Sequence, residues 1–328
     1  MSKADSVLAD VLSEKKMRRT LLIQMVTHTL RTSIAVAAFL LAAILFSSVS
    51  SASEIYTQHK NIVYSEKHGV ALVMDIFEPK GEKNGYGLVD AVSGAFYSDR
   101  GKLRDHEKAK MFDIMCSRGY VVFAIRPGSV TKFTAVEMLE HLREGFAWVN
   151  ANAAEYGVTS PDLGMLGASA GGYLTCMTAV KSAEYPETRN LKAVGVFFPP
   201  TDFTQYGPFK VNVQNEDPIS KAARNLFFRH NYQSVTKEEV DETLIAYSPA
   251  RQVTESTPPF LLIHGNADFV VPLQQSGLMR DALEAKNVPV ELVVKEGGGH
   301  PWPTIHEEVV LIADFFDKVL RGIEPAEK

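Results

Sequence analysis

Residues 163–177, LGMLGASAGGYLTCM, decide the fold of this chain. The apolar run LGML is typical of a buried strand, and an apolar helical pattern follows over residues 171–183. Gly167, Ser169 and Gly171 stand between the two as Gly-x-Ser-x-Gly. A sharp turn from a strand into a helix strains its central residue and brings the neighbours close together, so glycine is required on both sides. The stretch therefore predicts a strand, a tight turn and a helix.

The same turn favours a nucleophilic role for Ser169. A helix that begins directly behind the serine stabilises negative charge developing at its N-terminus. The backbone N–H of Ala170 would then point to the position of an oxyanion. Alone the pattern is weak, because three fixed positions of common residues match by chance in about one chain in ten of this length. A phosphate-binding turn or a purely structural turn is the alternative.

The rest of the chain after residue 52 alternates between strand and helix patterns. The candidate strands are 61–66, 70–77, 87–92, 120–125, 162–167, 193–198, 259–264 and 290–294. The candidate helices are 104–118, 136–153, 171–183, 273–286 and 305–320. The later strands are short and continuously apolar, which suits a mostly parallel sheet that is covered on both faces, whereas the first two strands are close enough to form a hairpin. We expect an α/β fold with a mostly parallel eight-stranded sheet flanked by helices.

Residues 203–250 interrupt this alternation. They contain no clear strand, but they have helix-like stretches near 218–229 and 237–246 and many aromatic residues. So long an excursion inside a compact domain is usually functional. We expect a cap or lid insertion here, and a disordered loop is the alternative.

Two further residues complete a candidate catalytic set with Ser169. A serine nucleophile needs a base, and the base needs an acid that orients it. The stretch HGNADFVVP places Asp268 just after one strand, and GGGHPWP places His300 just after the next. All three residues follow carboxyl ends of strands, the edge at which ligands bind in open α/β sheets. The order serine, acid, histidine also fits this type of fold.

Other residues compete for these roles. His264 is a rival base, but it ends a strand inside an apolar run and is more typical of a core histidine. Asp202, in FFPPTDF, ends another strand and is the rival acid, while Asp268 could instead be a loop acid or a helix cap. His306 is expected on the last helix, in an exposed or structural position.

An oxyanion hole needs a second backbone N–H, normally from the loop after an earlier strand. That loop lies within LVDAVSGAFYSDRG, residues 88–101. Gly94 and Ala95 are the small residues there, so either is predicted to donate beside Ala170.

The first 52 residues read as an export signal. Basic residues precede the apolar run SIAVAAFLLAAILF at 33–46, and Ser50 and Ala52 fit the small residues before a cleavage site. The run is shorter than the ~20 residues of a spanning helix. We expect residues 1–52 to be a signal peptide, or a membrane anchor if uncleaved, and residues 53–328 to form the α/β domain of a secreted or periplasmic protein.

Composition excludes few classes of protein. The net charge is −5, and no long run of one sign suggests binding to nucleic acid. The two cysteines, Cys116 and Cys176, are more typical of buried apolar residues, although an exported chain could pair them. No cluster has the spacing of a metal site.

Four motifs carry a resemblance to a known family. They are GASAGGYL at 167–174, FFPPTDF at 197–203, HGNADFVVP at 264–272 and GGGHPWP at 297–303. Over residues 60–321 the chain resembles the α/β-hydrolase superfamily, and more narrowly its acetyl-xylan and feruloyl esterase-like branch, related to prolyl-oligopeptidase-type hydrolases. The resemblance implies that Ser169 attacks, that His300 is base and then acid, and that Asp268 orients His300. It also implies hydrolysis through an acyl-enzyme without a metal or organic cofactor.

One departure from the family lies in the oxyanion loop. Lipases and esterases often carry His-Gly-Gly-Gly there, whereas this chain has Val92-Ser93-Gly94-Ala95. The expected activity is hydrolysis of carboxylic esters, with an acylated carbohydrate or another small ester as substrate. An exported peptidase of the prolyl-oligopeptidase type and a catalytically silent binding protein are the alternatives. No nucleic acid is expected as a partner, and a membrane only if the N-terminal segment is uncleaved.

Overall fold

The computed structural model describes residues 55–324, apart from the side chain of His230. The predicted export signal at residues 1–52 lies outside this part of the chain. Within it the strands are β1 Tyr56–Lys67, β2 Val70–Pro79, β3 Gly87–Ala91, β4 Val121–Arg126, β5 Leu163–Ala168, β6 Leu191–Phe197, β7 Phe260–Gly265 and β8 Val290–Lys295. The α-helices are α1 Arg100–Lys108, α2 Met111–Ser117, α3 Ala135–Asn152, α4 Ala170–Val180, α5 Pro218–Ala223, α6 Lys237–Ala246, α7 Gln274–Glu284 and α8 His306–Arg321.

These strands form one sheet in the order β1-β2-β4-β3-β5-β6-β7-β8. The hairpin partner β2 also pairs antiparallel with β4, and all later neighbours are parallel. The predicted mostly parallel eight-stranded sheet is therefore confirmed. Ala91 of β3 lies level with Ile125 of β4 and Gly167 of β5, so these strands end together at one edge.

Helices cover both faces of the sheet, as the continuous apolar strands require. Helices α3, α4 and α7 bury residues such as Leu142, Leu174 and Met279 against one face. Helices α1, α2 and α8 bury residues such as Leu103 and Phe316 against the other. Each face thus has its own hydrophobic core.

The largest error in the predicted elements is the helix at 104–118. The structure has two helices there, and the chain turns between them at Lys110, whose φ of 54° is left-handed. The apolar period continues across this break, which is why periodicity alone joined the two. Both cysteines are buried free thiols.

The segment between β6 and β7 holds α5, a π-helical turn at Arg224–Phe228 and α6. Its aromatic residues Phe203 and Tyr206 are buried, at 3% and 4% exposure. The segment is therefore packed on the domain, while its function as a cap stays a prediction. No helix within residues 55–324 is both long enough and apolar enough to cross a membrane.

Candidate active site

Ser169 occupies the turn between β5 and α4. Its backbone has φ 55° and ψ −120°, a combination that a residue with a side chain rarely adopts. The Ser169 N–H donates to the Phe197 carbonyl of the neighbouring strand at 2.9 Å, which helps to hold this conformation. Such strain persists only where the surroundings impose it, and it is common at functional sites.

The two glycines of the turn are required by close backbone contacts. A Cβ at Gly167 would lie 2.6 Å from the Gly171 carbonyl oxygen. A Cβ at Gly171 would lie 2.1 Å from the Ala91 carbonyl oxygen of β3. The turn is therefore held between its own helix and the adjacent strand, and no side chain fits at either position.

His300 links the serine to the acid. It lies in the loop after β8, where its Nε2 is 2.9 Å from the Ser169 Oγ and its Nδ1 is 2.7 Å from an oxygen of Asp268. Ser169 and His300 are 131 positions apart in the chain, and the three residues follow three different strands. The sequence predicted all three at one edge of the sheet, and the structure brings them within hydrogen-bonding distance.

Asp268 is held as a carboxylate. Its Oδ1 accepts hydrogen bonds from the backbone N–H groups of Val270 and Val271, at 2.8 and 2.9 Å. Burial raises the pKa of this carboxyl, but the hydrogen bonds from His264, His300 and Val271 outweigh burial and leave the pKa well below its usual value. The Nδ1 of His300 therefore faces a negative charge across the whole neutral range.

His264 is a neighbour of Asp268 that the sequence reasoning treated only as a rival base. It is fully buried, and its Nε2 lies 3.5 Å from Asp268 and 2.8 Å from the Val271 carbonyl oxygen. Its Nδ1 is 2.7 Å from the Ser276 Oγ. With both ring nitrogens engaged it supports the acid loop and does not reach Ser169. The four-residue spacing in HGNAD is the signal that could have indicated this contact.

An aromatic support for the His300 loop was also missed. The Phe198 ring lies 4.3 Å from the imidazole of His300 and 5.9 Å from the indole of Trp302. The Trp302 Nε1 donates to Glu308 at 2.7 Å, and Glu308 in turn pairs with Lys295 at 2.6 Å. A buried, fully bonded indole therefore anchors the loop that carries His300. The Trp-Pro pair in GGGHPWP is the only sign of this aromatic support in the sequence.

The loop predicted to complete the oxyanion hole makes a tight turn over residues 94–97. The Gly94 N–H donates to the Tyr97 carbonyl at 2.9 Å, so this N–H is already used. Ala95 and Phe96 both have left-handed φ angles, of 48° and 62°. Within residues 55–324 the N–H groups of Ala95 and Ala170 have no hydrogen-bond acceptor. Of the two predicted loop donors, the geometry favours Ala95.

The rival residues take other positions. Asp202 pairs with the Arg251 Nε at 2.7 Å and accepts from the Thr204 N–H at 2.8 Å, so its carboxylate is engaged away from His300. His306 begins α8.

Two curated proteins from Mycobacterium tuberculosis are similar to part of this chain. One is "Esterase LipC", 27% identical over 55% of this chain and 46% of its own length. The other is "Probable carboxylic ester hydrolase LipM", 24% identical over 52% of this chain and 39% of its own length. The chain thus spans less than half the length of these relatives.

Two solved structures are similar in fold. A "truncated form of carbohydrate esterase from gut microbiota" has a TM-score of 0.69 at 20% identity, covering 81% of this chain and 98% of its own. Esterase 2 of Thermogutta terrifontis has a TM-score of 0.63 at 21% identity, covering 86% and 100%. The predicted α/β-hydrolase fold is confirmed, while a relation to prolyl-oligopeptidase-type hydrolases stays a prediction. The BD-FAE family matches residues 74–283. Because that match covers more than half of the sequence, this chain belongs to the BD-FAE family of the α/β-hydrolase fold.

Proposed function

We propose that the protein is a serine hydrolase of carboxylic esters that works through an acyl-enzyme. The observation that carries the proposal is the chain of contacts from Ser169 through His300 to Asp268, at 2.9 and 2.7 Å. These are the distances at which a base activates a serine and an acid orients the base.

In the first half of the reaction the Ser169 Oγ attacks the ester carbonyl carbon, and His300 Nε2 takes the serine proton. The oxygen of the tetrahedral intermediate is stabilised by the N–H groups of Ala170 and Ala95, and one such donor typically contributes about 100- to 1000-fold in rate. His300 then gives its proton to the leaving alcohol, and the acyl group stays on Ser169.

In the second half, water takes the place of the alcohol. His300 accepts a proton from the water as it attacks the acyl-enzyme, and then returns the proton to the Ser169 Oγ as the carboxylic acid leaves. Asp268 keeps the Nδ1 of His300 protonated and so holds the Nε2 free to accept at both steps.

The proposed substrate class is an acylated carbohydrate. The similar carbohydrate esterase structure supports this choice, as do the curated relatives named as ester hydrolases. The alternatives are a small ester of another kind, a peptide amide, or no reaction at all in a binding protein. The proposal extends to export of the protein, which rests on the sequence of residues 1–52 alone.

The test compares the full chain with Ser169→Ala and with Ser117→Ala, a matched serine on α2. Hydrolysis of p-nitrophenyl acetate and butyrate is measured beside labelling by a fluorophosphonate, which reacts with activated serines. We expect the wild type and Ser117→Ala to hydrolyse both esters at the same rate and to react with the fluorophosphonate to the same extent. Ser169→Ala should lose labelling and at least about 1000-fold of its rate. Equal turnover in all three proteins would overturn the proposal.

Esterase and peptidase are separated by a second pair of substrates. We expect turnover of acetylated oligosaccharides to exceed turnover of an Xaa-Pro p-nitroanilide, which carries an amide in place of the ester. The opposite ranking would favour the peptidase alternative while keeping the serine mechanism.

A further inference from the structure

A basic cleft lies between β1 and α1. It has a volume of about 450 Å³, within the range of small-molecule sites. Its lining residues are Gln58, Lys60, Asn61, Arg100, Leu103, Arg104 and Glu107. Three cations thus face one carboxylate, in a chain whose net charge is −5.

Two of the cations are uncompensated. Lys60 and Arg104 are exposed, and neither forms an ion pair with any residue between 55 and 324. Arg100 does have partners: its Nη1 is 3.2 Å from Asp75 and its Nη2 is 2.6 Å from the Asn61 amide oxygen. The cleft is therefore lined by one guanidinium held by partners and by two exposed cations without an ion pair.

Behind the lining residues lies a surplus of positive charge, at Asp75 and Arg126, which do not themselves line the cleft. Fully buried Asp75 is shared by two guanidinium groups, from Arg100 at 3.2 Å and Arg126 at 3.3 Å. The same carboxylate also accepts from the Gln58 side chain and from the Asn61 N–H, at 3.0 and 3.1 Å. One carboxylate carries a single negative charge, so the two arginines leave a net positive charge here.

Arg126 lies directly behind this lining, where its Nη2 is 2.7 Å from the Asn61 amide oxygen. Its side chain is nine-tenths buried, and its Nε has no hydrogen-bond partner within residues 55–324. A buried donor without a partner is costly and calls for an explanation. An anion bound in the cleft beside Arg100 would balance the positive charge of this pair, since guanidinium groups match the planar oxygens of a carboxylate.

The cleft is close enough to the candidate active site to hold another part of one substrate. Arg126 ends β4, and β4 lies two strands from β5, a lateral distance of about 10 Å. Arg100 follows Ala95 by only five residues, so the intervening chain spans at most about 17 Å. A chain of linked sugar units with its ester at Ser169 is therefore long enough to reach the cleft.

We propose that this cleft binds the carboxylate of an acidic sugar unit in the alcohol part of the substrate. The proposal rests on the ester hydrolase function above and specifies its substrate class as an acylated carbohydrate with uronic acid units. The Gln58 Oε1 and the Asn61 Nδ2 keep hydrogen-bonding capacity that suits sugar hydroxyls, since only the Nε2 of Gln58 and the Oδ1 of Asn61 are bonded to Asp75 and the arginines. These amide groups beside the cations favour a sugar acid over a free inorganic anion.

The first test is binding, which does not depend on turnover. Isothermal titration of the full chain compares methyl β-D-glucuronoside, methyl β-D-glucoside and inorganic phosphate. Variants are the double change Lys60→Gln with Arg104→Gln, and the control Lys108→Gln, an exposed cation on the same helix α1. We expect only the glucuronoside to bind. Its affinity should fall about tenfold in the double variant and with added salt, and should be unchanged in the control variant.

The second test is the preference between two esters that differ only in the carboxylate. They are mono-acetylated methyl glucuronoside and mono-acetylated methyl glucoside, and the measured quantity is the ratio of their kcat/KM values. We expect the wild type and Lys108→Gln to prefer the acidic ester, and the double variant to lose about tenfold of that preference at an unchanged unfolding midpoint.

Three results would overturn the proposal: no binding of the glucuronoside above the glucoside, binding of phosphate alone, or an equal preference in the double variant and the control. If the glucuronoside binds but neither ester is hydrolysed, the proposed binding site is supported and the proposed ester hydrolysis is refuted.

Discussion

At the scale of single residues, His264 shows how a core side chain can support the loop that carries a candidate catalytic residue. It is fully buried, and its ring nitrogens contact the Ser276 hydroxyl and the Val271 carbonyl oxygen while one of them faces Asp268. The loop that carries Asp268 is thereby tied to β7 and to α7. We therefore regard His264 as a positioning residue for the acid.

Changing His264→Phe keeps the ring but removes its nitrogens. The Ser276 hydroxyl and the Val271 carbonyl oxygen would be left buried without this partner, so we expect a loss of about 1–3 kcal/mol in the free energy of unfolding. We also expect about tenfold lower kcat on p-nitrophenyl acetate, with little change in KM, because Asp268 loses one of its supports. Urea unfolding and steady-state kinetics measure the two effects. His306→Gln is the control, and a His264→Phe protein as stable and active as the control would refute the positioning role.

At the scale of elements, the unit of β5, turn and α4 is where sequence and structure agree most closely. The sequence required glycine on both sides of Ser169, and the structure gives the contacts that impose it, 2.6 Å at Gly167 and 2.1 Å at Gly171. The contact at Gly171 comes from Ala91 of β3. Glycine is therefore required at this position because β3 pairs with β5, as well as because the turn is tight.

Two glycine changes should therefore have opposite effects. Gly171→Ala would push a methyl group against the Ala91 carbonyl, and we expect a loss of more than about 3 kcal/mol or no folded protein. Gly277→Ala, inside α7 where the new Cβ would lie within 4 Å of no atom beyond its own helix backbone and chain neighbours, should raise stability by about 0.5–1 kcal/mol. Thermal unfolding of both variants checks the pair, and similar midpoints would contradict the close approach of Gly171 to β3.

At the scale of the whole molecule, ion pairs connect α8, the last helix, to Arg118 at the end of α2. Asp317 of α8 accepts from Arg118 at 2.6 Å, from the Tyr120 hydroxyl at 2.9 Å and from Arg321 at 2.5 Å. Asp314 accepts only from Arg118 among residues 55–324, at 2.6 Å. The Arg118 contacts join residues almost 200 positions apart, so they close the domain around one face of the sheet.

We expect Asp317→Ala to cost about 1–3 kcal/mol, since it removes three hydrogen bonds and leaves the Tyr120 hydroxyl without its acceptor. Asp314→Ala should cost less than about 1 kcal/mol, because it removes a single contact of a partly exposed pair. Chemical denaturation ranks the two variants. The reverse ranking would mean that the cluster does not hold α8 in place.

Local patterns in the sequence were enough to predict most elements and the candidate catalytic residues. Strand and helix patterns are local, because burial repeats every two residues in a strand and every 3.6 residues in a helix. Ser169, Asp268 and His300 were found because each follows a strand, and parallel strands bring such positions to one edge. The break at Lys110 was missed because a single left-handed residue leaves the apolar pattern intact.

Which groups meet was settled by tertiary packing alone. It places β4 between β2 and β3, engages the Gly94 N–H with Tyr97, and sets His264 against Asp268. It also brings Arg100 and Arg126 onto the single carboxylate of Asp75. These contacts join positions far apart in the chain, or depend on the left-handed backbone of the turn over residues 94–97. Their pairing follows from the packing of the whole sheet, and no local period of the sequence encodes it.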